Sequence, residues 1–112
     1  MSTNIDSFLT TLKKTVDNNE TFTDRLVLEH YACQISMIDY QKPLVFTFDN
    51  MTTANSAESL AERTGWGNDF LVGLGYNVCS FIESDRFRWY RHEEFYQLVE
   101  AISAKRVFQK MA

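Results

Sequence analysis

The chain is short of the residues that usually punctuate a fold. It has one proline and four glycines in 112 residues, so most turns must be built from other side chains and are weakly marked. Cysteine is scarce as well. Cys33 and Cys79 are the only two, and both sit inside apolar, strand-like runs, which reads as buried free thiols and not as the disulfide framework of a secreted scaffold. No Cys/His spacing is of the zinc-binding kind, so no metal and no cofactor are assigned. Basic charge is not in excess. A formal net charge of -4 argues against a general nucleic-acid binder, because phosphate neutralisation needs clustered Lys and Arg. No apolar run approaches the ~20 residues of a membrane span. The N-terminal MSTNIDSFLTTLKK lacks a continuous apolar core and carries Asp6, so it is not read as a signal peptide. A soluble, cytoplasmic protein is the expectation.

What the chain has is apolar bulk. Hydrophobic residues make up 45% and aromatics 14%, nine of them Phe. That is enough for one globular domain over residues 1–112 with a real core.

Ile5, Phe8, Leu9, Leu12 and Val16 fall at helical spacing, which predicts an amphipathic helix over about 4–17 within an N-terminal segment 1–20. RLVLEHYACQISMID predicts two strands, about 25–31 and 33–39, or one long bent strand. After Pro43, LVFTF at 44–48 is almost wholly apolar, a pattern common in strands covered on both faces. AESLAER predicts a short helix over roughly 57–63. Trp66, Phe70, Leu71 and Leu74 describe one face of a helix over about 66–74, with Gly75 as its stop. YNVCSFI, 76–82, predicts a second buried strand. Phe95, Leu98, Val99 and Ile102 mark a helix over about 92–104. The tail KRVFQKMA is a candidate further strand. The stretch from Leu44 to Ile82 has the length of a βαβ crossover, so its two strands should be parallel. The expected class is α/β in three layers: a small mixed sheet with an N-terminal antiparallel hairpin, a parallel βαβ crossover and flanking helices.

PLVFTFDN, then GWGNDFLVGLGYNVCSFI, then RWYRHEEFYQLVEAI together resemble the N-terminal half of α/β-hydrolase-like proteins of the serine esterase or acyl-hydrolase type. The likeness covers about residues 24–108, within a hydrolase-like part at 24–112. In such proteins the next element leads to the nucleophile elbow, G-x-S-x-G. None of Gly65, Gly67, Gly73 and Gly75 frames a serine in that way. The resemblance thus implies the fold of a chain truncated before the elbow, with no catalytic residue of its own.

Three places could carry chemistry. The loop Asp49, Asn50, Met51 follows a buried strand, and in hydrolase-like proteins the corresponding loop helps form the oxyanion hole. Its plainer reading is a polar turn capped by Asp49. FRWYRH, Phe87 to His92, could offer Trp89 and Tyr90 for stacking and Arg86, Arg88 and Arg91 for phosphate. Glu83, Asp85, Glu93 and Glu94 surround it, which favours a strand-to-helix join, with Trp89, Tyr90, Arg91 and His92 at a cleft or interface. His92 could serve as acid or base, yet neither Cys79 nor any serine is placed for it to activate. Asp49 and Asp85 follow the two parallel strands and could approach each other as a divalent-cation pair; the plainer reading is that both are solvated.

The strand order that the resemblance implies puts 76–82 between the hairpin and 44–48. LVFTF then lies at an edge, which must be covered. Candidates are the tail 106–111, a second copy of the chain or another protein. The leading expectation is a noncatalytic module acting through protein association, with a homodimer or protein partner over Leu44–Phe48. The alternatives are the N-terminal part of a serine esterase or acyl-hydrolase, and a nucleic-acid-binding module.

Overall fold

A computed structural model describes residues 3–48, 60–84 and 90–109. The elements run α1 (Ile5–Asp17), β1 (Phe22–Val27), β2 (Tyr31–Met37), β3 (Leu44–Phe48), α2 (Asn68–Gly73), β4 (Asn77–Glu83) and α3 (Glu93–Lys105). The four strands form one mixed sheet in the order β1-β2-β4-β3. β1 and β2 form an antiparallel hairpin. β2 and β4 are antiparallel, and β3 runs parallel to β4 with Phe46 beside Cys79. The expected α/β class, the hairpin and the parallel pair are all present.

Strand alternation sorts the side chains onto two faces. On one face Phe22, Leu26, Cys33, Ile35, Met37, Cys79 and Phe81 form the main core with Phe8, Leu9, Leu12 and Val16 of α1 and Leu98 of α3. α1 forms because its apolar residues recur at helical spacing on that face. It starts cleanly because the Asn4 side chain accepts the Ser7 N–H at 2.9 Å, satisfying one of the orphan donors of the first turn. Burying each of its four large apolar side chains contributes on the order of 1.5–3 kcal/mol. Lys105 reaches Asp6 at 2.6 Å, tying the end of α3 to the start of α1.

The other face is more polar. Thr47 Oγ1 and Ser80 Oγ share a hydrogen bond at 2.6 Å, and Gln34 Oε1 accepts the Gly65 N–H at 2.8 Å. Arg25 Nη1 donates to the carbonyls of Leu60 and Arg63 at 2.5 and 2.6 Å, and Arg63 donates to the Glu83 carbonyl. Residues 60–65, in the described part of the crossover from β3 to β4, are thus fastened to the sheet by hydrogen bonds. α2 ends in a Schellman motif: the Tyr76 N–H reaches the Leu71 carbonyl and the Gly75 N–H the Val72 carbonyl, with Gly75 at φ 90°, a conformation glycine adopts without steric cost.

Several expectations need correction. The hairpin lies three to four residues earlier at its first strand than the 25–31 reading, because its turn falls at Glu29–His30. β3 is an outer strand, as the expected order had it, but Phe46 and Phe48 remain 48% and 47% exposed, so its apolar run does not signal cover on both faces. Trp66, Phe70 and Leu74 were expected on one face of a helix over about 66–74, yet the helix spans only Asn68–Gly73 and all three are exposed. Residues 60–62 form a turn, and the rest of the short helix expected at 57–63 lies mostly outside the described residues. Residues 106–109 form turns and a 3-10 step, so this part of the tail does not add a strand. No helix among the described residues is long and apolar enough to cross a membrane.

Candidate functional site

The carboxyl ends of the parallel strands β3 and β4 gather most of the chemistry-bearing side chains. In open α/β sheets this end is where ligands bind. β4 ends at Glu83, whose Oε2 accepts the Tyr90 N–H at 2.6 Å. The Tyr90 hydroxyl donates to the Phe81 carbonyl at 3.2 Å. These two bonds hold Tyr90 at φ 58°, a left-handed conformation that a bulky residue adopts only when its surroundings demand it. The Tyr90 ring packs against Phe48 at 5.2 Å and Phe95 at 5.1 Å, which extends the aromatic core to the rim.

The β1–β2 turn reaches the same place. The Leu28 N–H bonds the Tyr31 carbonyl at 2.8 Å and the Ser84 N–H bonds the His30 carbonyl at 2.9 Å. Glu94, in the first turn of α3, sends its Oε1 to the main-chain N–H groups of His30 and Tyr31, at 2.9 and 3.1 Å. A carboxylate 63 positions away therefore closes a turn that has neither glycine nor proline. His92 is the N-cap of α3, its Nδ1 accepting the Glu94 N–H at 3.0 Å. That bond places the His92 proton on Nε2.

The result brings the two histidines together. The rings of His30 and His92 lie 4.6 Å apart, tilted by 49°. Tyr31 stacks nearby, 5.9 Å from Tyr90 and 5.4 Å from Phe95. Glu29, His30 and Glu94 offer ligand atoms that all lie within 4.8 Å of one another. His30 Nε2 and Glu29 Oε1 are 3.8 Å apart, too far for a hydrogen bond and close enough to share a third body.

Of the residues singled out from sequence, Tyr90 and His92 belong to this rim, and both have defined structural work. Arg91 is exposed. Asp49, Asn50, Met51, Asp85, Arg86, Arg88 and Trp89 lie outside the described residues. The Tyr90 ring is committed to packing, so it is not a free platform for a base. Cys79 is no nucleophile: its hydrogen bond with Cys33, at 3.6 Å between the sulfurs, and its burial push the thiol well above its ordinary range, the opposite of an activated cysteine. Sequence reasoning did not single out Glu29, His30 or Tyr31, and met Glu94 only as an acidic neighbour of FRWYRH. Nothing in the local pattern ties position 30 to position 94. The only available signal was the pairing of two histidines with adjacent glutamates, Glu29-His30 and His92-Glu93-Glu94.

No family model matches the chain, and no curated protein and no solved structure matches it either.

Proposed function

We propose that the chain is a noncatalytic association module that works as a homodimer joined along β3. The observation that carries this is the contrast between the two sheet edges. β1 contains Asp24 and Arg25, charges of the kind that blunt an edge, whereas β3, LVFTF, contains no charge and no proline. Among the described residues β3 has β4 on one side and no strand on the other.

A second copy fits this edge by its own symmetry. Antiparallel pairing about a two-fold axis at Phe46 sets Leu44 opposite Phe48 and Val45 opposite Thr47 of the other copy. Strand alternation keeps 44, 46 and 48 on the aromatic face and 45 and 47 on the polar face in both chains. An isologous contact of this kind closes on itself and does not propagate. The two half-exposed phenylalanines are then buried in an eight-stranded sheet.

The test is Phe46 itself, which meets its own copy on the axis. Wild-type protein should sediment as a dimer at micromolar concentration, and Phe46→Glu, which sets two carboxylates against each other, should sediment as a folded monomer. Phe46→Cys should form an intermolecular disulfide under mild oxidation. A wild-type chain that stays monomeric throughout the range, or a Phe46→Glu dimer, overturns the proposal.

The alternative of a hydrolase fragment draws on the same edge, because the hydrolase-like order seats the elbow strand beside β3. It is distinguished by assay. The isolated chain should not hydrolyse a nitrophenyl ester above background under the association reading.

A further inference from the structure

We propose that Glu29, His30 and Glu94 form a site for one first-row divalent transition-metal cation, with Zn2+ as the representative ion. The inference is independent of the dimer reading.

The donor set decides the class of ion. One imidazole nitrogen with two carboxylate oxygens suits borderline cations such as Zn2+; Mg2+ and Ca2+ favour all-oxygen sites. Ligands around tetrahedral zinc sit about 2.0–2.2 Å from the metal, which puts neighbouring donors roughly 3.3–3.6 Å apart by that geometry. Donor atoms now within 4.8 Å of one another need to close by at most about 1.5 Å. The residue that must move is free to do so, since the Glu29 side chain is 82% exposed.

The other two ligands are already held. Glu94 Oε1 is fixed by the His30 and Tyr31 N–H groups, the outer-sphere support that orients a metal-binding carboxylate. A carboxylate binds through either oxygen, so this support leaves Glu94 able to serve as a ligand. His30 is anchored through both its main-chain groups, the N–H to Glu94 and the carbonyl to Ser84. Three protein ligands leave room for water or a small ligand in the fourth position, as in open zinc sites.

His92 is excluded from the ligand set by its own hydrogen bond. With Nδ1 accepting the Glu94 N–H, its outer nitrogen carries a proton and has no lone pair to give. Its role is to cap α3 and pack against the His30 ring. The ligands come from a hairpin turn and a helix start far apart in the chain, so no local spacing joins them.

The experiment is calorimetric titration of Zn2+ into the full, untagged chain in a buffer that does not chelate the ion. One Zn2+ should bind per chain. Glu29→Gln and His30→Gln should each weaken binding by about tenfold or more. Glu29→Gln changes an exposed side chain and keeps its shape, so its loss of affinity reports ligation and not unfolding. His92→Asn keeps a good N-cap residue and should leave the affinity unchanged. Co2+ should give visible d–d absorption that His30→Gln abolishes. The proposal is overturned by absence of saturable binding, by binding that Glu29→Gln and His30→Gln leave intact, or by an equal loss in His92→Asn.

Discussion

Gly65 lies so close beneath β4 that a Cβ placed on it would fall 2.3 Å from the Ser80 Cβ and 2.7 Å from its Oγ. Ser80 is fully buried and bonded to Thr47, so neither side has space to retreat. Glycine is required here for closeness, not for an unusual dihedral. Gly65→Ala should therefore destabilise the chain by about 1–3 kcal/mol, the usual cost of overpacking. Ser80→Gly in the same chain should recover part of that loss. A urea unfolding series on the two single variants and the double variant measures the coupling, and purely additive effects would show that the approach is not the cause.

Asn77 holds the loop between β2 and β3. It is completely buried. Its Oδ1 accepts the Ile38 and Asp39 N–H groups at 2.7 and 3.0 Å. Its Nδ2 donates to the carbonyls of Asp39 and Lys42 at 2.8 and 3.0 Å. Asn77→Leu keeps the volume and strips main-chain donors and acceptors of their partner. A loss on the order of 3 kcal/mol is expected, because buried unsatisfied polar groups cost more than the bonds contribute. Asn77→Asp keeps the acceptor half and turns a carboxylate toward two carbonyls, so it should not rescue. Denaturant midpoints with unchanged slopes are the readout.

These two residues show what could be read from the sequence and what could not. The parallel β3–β4 pair follows from the spacing of LVFTF and YNVCSFI and the helix between them, all local in the chain, whereas the strand order was expected only from the hydrolase-like resemblance. Gly75 as the end of α2 was equally legible, since its neighbours alone define the motif. The β1–β2 turn was not, because what closes it is the carboxylate of Glu94, far away in sequence. For the same reason the Glu29, His30 and Glu94 cluster was only faintly marked, by glutamates beside two histidines: each residue looks like solvated surface until tertiary packing brings the three together. Phe46 and Phe48 look like core in any local window, and only the strand order shows them to be at an edge.

Alkaline pH should test the buried thiol pair. The hydrogen bond with Cys33, and burial, push the Cys79 thiol well above its ordinary value. Its folded pKa is thus above the unfolded one, so the contribution to stability is fully present below the unfolded value and is lost as pH rises through the folded one. Above about pH 9 the unfolded chain releases a proton that the folded chain keeps, and the unfolding free energy should fall. Tyr40, raised by burial and by Glu20, adds in the same direction at higher pH. Cys79→Ala should flatten the first part of that slope. Iodoacetamide at pH 8 should label neither thiol in the folded chain and both in urea; rapid labelling of the folded chain would contradict the assignment.

The outer face of α3 should form the second layer of the dimer. Tyr96 and Val99 are 53% and 41% exposed, one helical turn apart, and with Phe95, Glu100, Ser103 and Ala104 they line an open groove of about 520 Å³. Phe95 packs on Phe48 at 6.5 Å between ring centroids, so this helix lies over the β3 side of the sheet. In the proposed dimer the two α3 helices would lie on the same side of the joined sheet, and the small Ser103 and Ala104 would let them approach closely. Tyr96→Ala and Val99→Ala remove exposed atoms, so the stability of the separated chain should change little. Association should weaken by about tenfold for Tyr96→Ala, on the scale of an interface aromatic, and by less for Val99→Ala. A dilution series in sedimentation velocity measures both against wild type. Equal dissociation constants in all three would leave the strand edge as the whole interface and remove α3 from it.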